Sequence, residues 1–303
     1  MSALEIISND FITVVVDPNN GGTIQHIGRN MDAKNNVLAW YEWQTPEALP
    51  LEFSENESST HWLSRYRGGW QFLTPNAGGE CVFNGVRHSF HGASSYLPWS
   101  VVSNDGVSIV LEIVISDALR VSRELAISAS HPGLTCHTRI ANLAPTAQEI
   151  VMVEHAAFQG SPTIEVDAPA ASEWAFDGTY EEDGGSRRLW QEVGASDLSR
   201  PVVDRTERMT YLAAGNEGWV SIFDNAKGFG ARLKWDQKVL PYLWYWQEQF
   251  SQGFPFFGRA EMTALEPASC HPSDTLAGAS KAGRSTRLQA GEEISFSVQL
   301  ELT

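Results

Sequence analysis

The feature of this sequence that most constrains its fold is a series of strand-length apolar runs between residues 80 and 160, each separated from the next by a turn signal. The separators read Asn-Gly, Asn-Asp-Gly, His-Pro-Gly and Asn-Leu-Ala-Pro, and such sequences favour tight reversals of the chain. Runs of this length between turns are typical of antiparallel strands. The segment therefore predicts an antiparallel meander.

The rest of the chain continues the same pattern. Residues 4–27 predict a hairpin that turns at DPNNGG, and strand-like runs return after residue 210 and continue to the closing ISFSVQLEL. The tract SENESST, residues 54–60, predicts an exposed loop, and the polar residues 160–210 predict long loops over one face. No stretch shows helical apolar periodicity for more than two turns, and no linker or repeat divides the chain. We therefore expect an all-β fold, a large antiparallel β-sandwich, as a single domain over residues 1–303.

Charge and cysteine usage disfavour several classes of function. The formal net charge of −16, from 21 basic and 37 acidic residues, disfavours a nucleic-acid or anionic-membrane partner. The N-terminus lacks a basic region before its apolar residues, and no window approaches the roughly 20 apolar residues of a membrane span. The 3 cysteines are widely spaced and include no CxxC pair, which indicates neither a disulfide framework nor a thiolate zinc site. A cytoplasmic protein is the simplest expectation.

Several common catalytic motifs are missing from the sequence. There is no GxGxxG after a strand, no GxxxxGK[ST], no GxSxG and no HExxH, so nucleotide-driven and serine-hydrolase mechanisms lose most of their support. His88 and His91 are three residues apart, which on a strand directs them to opposite faces. A metal site would need ligands from distant segments, and we expect neither a metal nor a cofactor.

Residues 61–99 concentrate the kinds of side chain that a polyol requires. Trp70 offers a flat apolar face to a ring, and Arg67, Asn76 and His91 offer fixed hydrogen-bonding groups to hydroxyls. The 11 tryptophans of the chain also exceed what core packing alone usually requires. The alternative interpretation is a cluster of surface loops between strands.

His155 follows a strongly apolar run in VMVEHAAF. The period of two places it on the face of Val151 and Val153, with Met152 and Glu154 on the opposite face. Considered alone, a core histidine bonded to a carbonyl group would explain it. If that face lies in the interior of the protein, the burial of a polar imidazole there requires an explanation.

Two acidic positions near the C-terminus are of interest. Glu266 lies in LEPAS, and Glu292 lies in AGEE at the start of the last predicted strand. Since Glu292 and Glu293 are adjacent, only one of them can face the interior of a sandwich. A single acid at the entrance of a strand is more often solvated.

These pieces together resemble the aldose 1-epimerase (galactose mutarotase-like) family. The resemblance runs over most of the chain, through GGTIQHI, YRGGWQFLTPNAG, HSFHG, LPW, VSRELAI, HPGLTCHTRIANLAP, EHAAF, LEPAS and RLQAGEE. The order and spacing of these motifs are specific for the superfamily and not for any one substrate. In this family a sugar ring opens and recloses at its anomeric carbon, so the resemblance implies a β-sandwich isomerase that acts on an aldose and needs no cofactor.

The resemblance also implies roles for individual residues. His91 matches the histidine that contacts the sugar, His155 matches the histidine that protonates the ring oxygen, and Glu292 matches the carboxylate that takes the proton of the anomeric hydroxyl. Opening a hemiacetal requires one proton to be removed and one to be delivered, and a carboxylate with a histidinium supplies both. Glu266 is the alternative base. The residues expected to bind the sugar are Arg67, Trp70, Asn76, Trp246 and Glu266.

The class of sugar is less constrained. The YRGG motif resembles the hexose-6-phosphate branch of the family, but Ala93, Ser94 and Ser95 stand where that branch has an arginine. A phosphate would lack a matched donor, and the net charge would not attract it, so we expect a neutral sugar or a sugar acid. Two other functions stay open: a carbohydrate-binding or sensing protein without turnover, and a lyase or hydrolase of acidic glycans.

Overall fold

Two large antiparallel sheets with one apolar core between them dominate the fold. The computed structural model describes residues 4–42, 58–176, 188–190, 198–201, 206–213 and 217–303. Core side chains come from both sheets, and Phe72 of one sheet meets Phe296 of the other with ring centroids 6.1 Å apart. The all-β fold, a large antiparallel β-sandwich, expected from the sequence is therefore confirmed.

The first sheet has ten strands, and every pairing within it is antiparallel. In spatial order these are β1 (Glu5–Ser8), β2 (Thr13–Asp17), β3 (Thr23–Gly28), β4 (Gly69–Leu73), β12 (Val153–Gln159), β20 (Glu261–Ala268), β19 (Tyr242–Gln249), β16 (Glu207–Ala213), β14 (Glu173–Phe176) and β15 (Arg188–Leu189). The predicted N-terminal hairpin is present, because β2 pairs with both β1 and β3.

The second sheet has eight strands. In spatial order these are β13 (Ile164–Asp167), β17 (Trp219–Asp224), β18 (Phe229–Trp235), β22 (Glu293–Leu302), β10 (Gly133–Asn142), β9 (Leu119–Ile127), β8 (Ser108–Ile115) and β7 (Ser100–Asn104). The predicted meander is confirmed over β7 to β10, which are neighbours in both sequence and space.

Short elements complete the described part of the chain. Two small antiparallel sheets have two strands each: β5 (Cys81–Phe83) pairs with β6 (Val86–His88) in a hairpin, and β11 (Gln148–Ile150) pairs with the distant β21 (Thr286–Leu288). The α-helices are α1 (Ser58–Arg65) and α2 (Thr275–Lys281), with 3-10 turns at Ala33–Asn35 and Ala93–Ser95. Among the described residues no helix is long and apolar enough to cross a membrane.

Two loop predictions need comment. The tract 54–60 was expected to be an exposed loop, but residues 58–60 begin α1, and Ser58 is buried and donates a hydrogen bond to Glu80. A polar side chain with a buried partner can start a helix even where the local composition indicates a loop. Of the predicted loops between 160 and 210, residues 177–187, 191–197 and 202–205 lie outside the described part of the chain.

The period of two in β12 separates two environments. Met152, Ala156 and Phe158 pack in the core between the sheets, whereas Val151 and Val153 pack with another cluster on the outer face of the ten-stranded sheet. The predicted alternation is thus confirmed. It places Glu154 toward the other sheet and His155 on the outer face.

A buried ion pair crosses the core between the sheets. Arg123 of β9 donates to Glu154 of β12 at 2.7 Å, and the side chains are only 3% and 0% exposed. Trp70 Nε1 also donates to Glu154, at 2.7 Å, and the Arg123 guanidinium lies 5.1 Å from the ring centroid of Phe72. Burial raises the pKa of Glu154, while Arg123 and the other donors lower it. The pair connects the two sheets through charge as well as through apolar packing.

Candidate functional site

A cavity of about 360 Å³ lies on the outer face of the ten-stranded sheet, over the neighbouring strands β12, β20, β19 and β16. Its floor consists of side chains from these strands: His155, Glu207, Met209, Trp244, Trp246 and Glu266. Its walls come from α1, from the segment between β4 and β7, and from the approach to α2: Trp62, Leu63, Tyr66, Gly78, Gly79, Phe90, His91, Pro272, Ser273 and Thr275.

Strand register brings His155 and Glu266 together. Ala156 pairs with Leu265 across β12 and β20, and the residues beside this pair point to the outer face. His155 Nε2 lies 3.7 Å from Glu266 Oε1, too long for a hydrogen bond but close enough for one proton to be shared through a bound hydroxyl. The two side chains are 5% and 1% exposed.

Burial controls the protonation of this pair. It lowers the pKa of His155 to about 4 and raises the pKa of Glu266 well above its usual range. Among the described residues, the two carboxyl oxygens of Glu266 have no hydrogen-bond partner, and Nδ1 of His155 has none either. Without a ligand the pair therefore favours a protonated Glu266 beside a neutral His155. A Glu266 carboxylate beside a His155 imidazolium has the same number of protons, and the two forms differ only in which residue holds one of them.

His91 is held as a neutral hydrogen-bond donor. The backbone N–H of Gly78 donates to His91 Nδ1 at 3.1 Å, so the neutral ring carries its own proton on Nε2. Burial, and then the charge of His155, lower the pKa of His91 well below its ordinary value. The two imidazole centroids are 5.4 Å apart. His91 can thus donate to a ligand oxygen but cannot easily accept a proton.

The position of His91 depends on unusual backbone geometry. Its φ is 59°, in the left-handed region, and the next residue, Gly92, has φ 71°. A Cβ atom on Gly92 would lie 2.4 Å from the carbonyl oxygen of Asn76, so glycine is required there. Left-handed non-glycine residues occur where surrounding structure enforces them, often at functional sites.

Aromatic side chains form much of the cavity surface. The rings of Trp62 and Tyr66 are stacked with centroids 4.6 Å apart, and Phe90 meets Trp62 at 5.5 Å. On the floor, Trp246 Nε1 donates to Glu207 at 3.1 Å, which fixes the indole. Flat apolar faces beside a few polar groups suit a sugar ring, whose C–H face stacks while its hydroxyls bond.

The cavity brings together half of the predicted site residues and excludes the rest. His155, His91, Trp246 and Glu266 line it. Trp70 does not, because it points from β4 into the core between the sheets and is fully buried there. Its predicted contact with a sugar is therefore corrected to a structural role.

Arg67 and Asn76 also lie outside the cavity lining. The Arg67 guanidinium lies 5.6 Å from the ring centroid of Trp40. Asn76 is fully buried and bonds to the carbonyl groups of Gly79 and Ser89 and to the backbone N–H of Leu276. Asn76 thus shapes the wall that carries His91 and does not face the cavity.

Glu292 lies in the turn before β22, in the eight-stranded sheet. It is exposed, and its Oε2 accepts a hydrogen bond from the backbone N–H of Gln289 at 2.6 Å. The cavity floor belongs to the other sheet, so Glu292 is not placed to exchange a proton there. Glu266, the alternative base, is placed to do so.

Sequence reasoning missed four aromatic lining residues, Trp62, Tyr66, Phe90 and Trp244, although local signals exist for all of them but Phe90. Trp244 is two residues from Trp246 in LPYLWYWQE, so both share one face of a strand. Trp62 and Tyr66 are four residues apart, which places them together on a helical turn. Within the described ranges, no group of 3 or more His, Cys, Asp or Glu side chains is placed to hold a metal ion.

Comparison with known proteins identifies a family and a fold. A family model described as a domain of unknown function, DUF4432, matches residues 26–302. No curated protein matches the sequence.

Several solved structures share the fold over nearly the whole chain. The Slr1438 protein of Synechocystis sp. PCC 6803 is 15% identical, with a TM-score of 0.73, over 100% of this chain and 96% of that one. A protein proposed to be an aldose 1-epimerase from Escherichia coli K12 is 18% identical, with a TM-score of 0.71, over 99% of both chains. A galactose mutarotase related enzyme from Lactobacillus acidophilus is 14% identical, with a TM-score of 0.71, over 99% of this chain and 97% of that one. At these identities the likeness is one of fold.

Proposed function

The chain belongs to the DUF4432 family of domains of unknown function, and we propose that its cavity is the active site of a mutarotase, an enzyme that interconverts the α and β anomers of an aldose. The observation that carries the proposal is the buried pair of Glu266 and His155, which line one cavity and whose carboxyl oxygens and Nδ1 find no hydrogen-bond partner among the described residues. A buried carboxyl and imidazole left unpaired are unfavourable unless a ligand satisfies them.

The reaction needs one proton removed and one delivered. A bound sugar whose hydroxyls donate to Glu266 would stabilise the carboxylate, and the single proton of the pair would then reside on His155. Glu266 takes the proton of the anomeric hydroxyl, the bond between the anomeric carbon and the ring oxygen breaks, and His155 delivers its proton to the ring oxygen. Rotation about the adjacent carbon–carbon bond and closure of the ring from the other face give the opposite anomer.

His91 and the aromatic side chains would bind the sugar during these steps. His91 donates from Nε2 to a sugar oxygen, since Gly78 occupies its other nitrogen. Trp62 and Trp246 supply apolar faces for the ring. No step requires a redox change, so the mechanism that we propose uses only the side chains of this chain.

The cavity favours an uncharged sugar. Among the described lining residues there is no lysine or arginine, and two are glutamates, Glu207 and Glu266. A phosphate or carboxylate on the ligand would meet these acids without a matched cation. A free, uncharged aldose is therefore the substrate class that we propose, and a cytoplasmic location stays a prediction.

Exchange NMR on equilibrated anomers, or polarimetry on freshly dissolved α-sugars, tests the proposal. With a panel of neutral hexoses and pentoses, the protein should accelerate exchange for at least one sugar. Glu266→Gln and His155→Asn should each lower the rate by about a hundredfold or more, because each removes a proton-transfer group. Glu292→Gln is the matched control, and its rate should equal that of the unmodified protein, since Glu292 is exposed in the other sheet.

The same experiment separates enzyme from binder. Tight sugar binding with no accelerated exchange across the panel would reject the mutarotase and favour a sugar-binding protein with the same fold. Acceleration that survives Glu266→Gln would reject the proposed base.

A further inference from the structure

Tyr66 has a buried hydroxyl group for which the described residues supply no hydrogen-bond partner. The residue is 3% exposed and lines the cavity, and among the described residues nothing accepts from or donates to its oxygen. A buried phenol normally finds a hydrogen-bond partner, because an unpaired hydroxyl in an apolar environment is unfavourable. The exception therefore needs an explanation.

Two other tyrosines, the partly buried Tyr41 and the buried Tyr245, follow the rule. Tyr41 donates to the carbonyl of Glu261 at 2.7 Å and accepts from the backbone N–H of the same residue at 2.9 Å. Tyr245 donates to the carbonyl of Leu198 and accepts from the side chain of Gln247. Tyr66 is the one of these three that faces the cavity.

The Tyr66 ring is held from two sides. It stacks on Trp62 with an interplanar angle of 20°, and it meets His155 edge-on, with centroids 5.5 Å apart and an angle of 86°. A ring packed in this way presents its hydroxyl in one direction only. The hydroxyl is therefore positioned before any ligand arrives.

Tyr66 and Glu266 are electrostatic neighbours. Burial first, and then the charge of Glu266, raise the pKa of Tyr66, so the phenol stays protonated as a donor. Yet both oxygens of Glu266 are unpartnered, so Tyr66 does not donate to them. A ligand hydroxyl between the two would satisfy both, since it can accept from the phenol and donate to the carboxylate.

We propose that Tyr66 is a further catalytic residue of the mutarotase reaction, a hydrogen-bond donor to the same anomeric oxygen whose proton Glu266 removes. This inference rests on the proposed function. As the proton leaves, the anomeric oxygen becomes the carbonyl oxygen of the open-chain aldehyde, and the bonding pair of the broken ring bond goes to the ring oxygen, which His155 protonates. Tyr66 keeps its own proton throughout and stabilises the negative charge that develops on the anomeric oxygen.

The test compares two substitutions of tyrosine by phenylalanine, Tyr66→Phe and Tyr41→Phe. Each variant is assayed for anomer exchange, with kcat and KM determined separately, and for stability by urea unfolding. Tyr66→Phe should lower kcat by about tenfold to a hundredfold with little change in KM, because the bond strengthens in the transition state. It should not lower stability, since the phenol oxygen has no partner to lose.

Tyr41→Phe should show the opposite pattern. It loses both of its hydrogen bonds to Glu261, so its unfolding midpoint should fall while exchange remains at the rate of the unmodified protein. Lost stability in Tyr66→Phe, or a raised KM with unchanged kcat, would overturn the inference and leave the mutarotase proposal intact. An unmodified protein that fails to accelerate exchange would instead reject the proposed function itself.

Discussion

The central pair of this site consists of two buried residues, and burial disfavours the charged form of both. His155 and Glu266 hold one proton between them, and the environment of each opposes its charged form. In the reaction that we propose, the pair exchanges this proton with a bound hydroxyl, whose hydrogen bonds to Glu266 stabilise the carboxylate. The same burial makes the stability of the protein depend on pH.

We expect His155 to contribute stability that is lost in acid. Its pKa is lowered from 6.5 to about 4 in the folded protein, so its contribution is complete above about pH 6.5 and declines as pH falls through about 4. The shift corresponds to roughly 3 kcal/mol of unfolding free energy. Urea unfolding of the unmodified protein and of His155→Gln between pH 7 and 4 measures the effect.

The unmodified protein should lose more unfolding free energy than the variant as pH falls across this range. Both proteins keep His91, whose lowered pKa acts in the same direction as that of His155, and Glu266, whose raised pKa acts in the opposite direction, so the difference between the two curves measures His155. Equal slopes in the two proteins would contradict the assignment of a neutral, buried His155.

At the residue scale the sequence predicts some features and not others. The separation of Glu154 from His155 follows from the local period of two, and it is observed. The choice between Glu266 and Glu292 could not be made locally, since it depends on which distant strand pairs with β12. The resemblance implies Glu292 as the base, whereas the sheet topology places Glu266, the alternative base, beside His155.

At the scale of elements, strands supply the floor of the cavity, whereas loops and turns supply the wall that contains His91. The backbone N–H of Gly78 orients His91, and Asn76 bonds to the carbonyls on either side of this wall. Asn76 also accepts from the backbone N–H of Leu276 in α2. One buried amide therefore connects three segments of the chain around the cavity.

Replacing Asn76 by Ala should disturb both folding and the site. The change leaves two carbonyl groups and one N–H without their partner, and we expect a loss of about 1–3 kcal/mol in unfolding free energy. Misplacement of Gly78 and His91 should also reduce sugar binding, which isothermal titration with an accepted sugar would measure.

Asn104→Ala provides the matched control, because Asn104 is exposed on β7 and bonds to the side chain of Glu5. It should change stability by less than about 0.5 kcal/mol and leave sugar binding unaltered. An Asn76→Ala variant that behaves like this control would contradict the role given to Asn76.

At this scale the sequence does not predict which way side chains point in irregular segments. The stretch 61–99 contributes His91 to the cavity lining, and its contact with a sugar stays a prediction. Arg67, Trp70 and Asn76 were expected to contact the sugar, but their partners are Trp40, Glu154 and nearby backbone groups. Outside regular strands no period fixes which way a side chain points, so tertiary contacts decide it.

At the scale of the whole molecule, the two sheets are connected by a charged pair inside an apolar core. Arg123 and Glu154 are both nearly inaccessible to solvent, and their attraction must offset the loss of hydration of each. The sequence predicted a sandwich because strand-length apolar runs and turn signals alternate along it. It did not predict the ion pair, since the two residues meet only when the sheets are packed.

Removal of one partner should be far more damaging than removal of both. Glu154→Leu leaves the Arg123 guanidinium buried without its carboxylate, and we expect a loss of about 3–5 kcal/mol in unfolding free energy. The double variant Arg123→Met with Glu154→Leu should recover much of this loss. Urea unfolding of the two variants measures the difference, and equal losses would show that the charges do not interact in the folded protein.

Strand β12 carries Glu154 on one face and His155 on the other. A shift of this strand by a single residue would turn every side chain to the opposite face, so that Glu154 would leave Arg123 in the core and His155 would leave Glu266 in the cavity. An error of one residue would remove the proton pair and the sheet-to-sheet ion pair together. A change in the length of β12 is therefore expected to damage the cavity and the core at once, whereas a substitution in this strand affects one of them at a time.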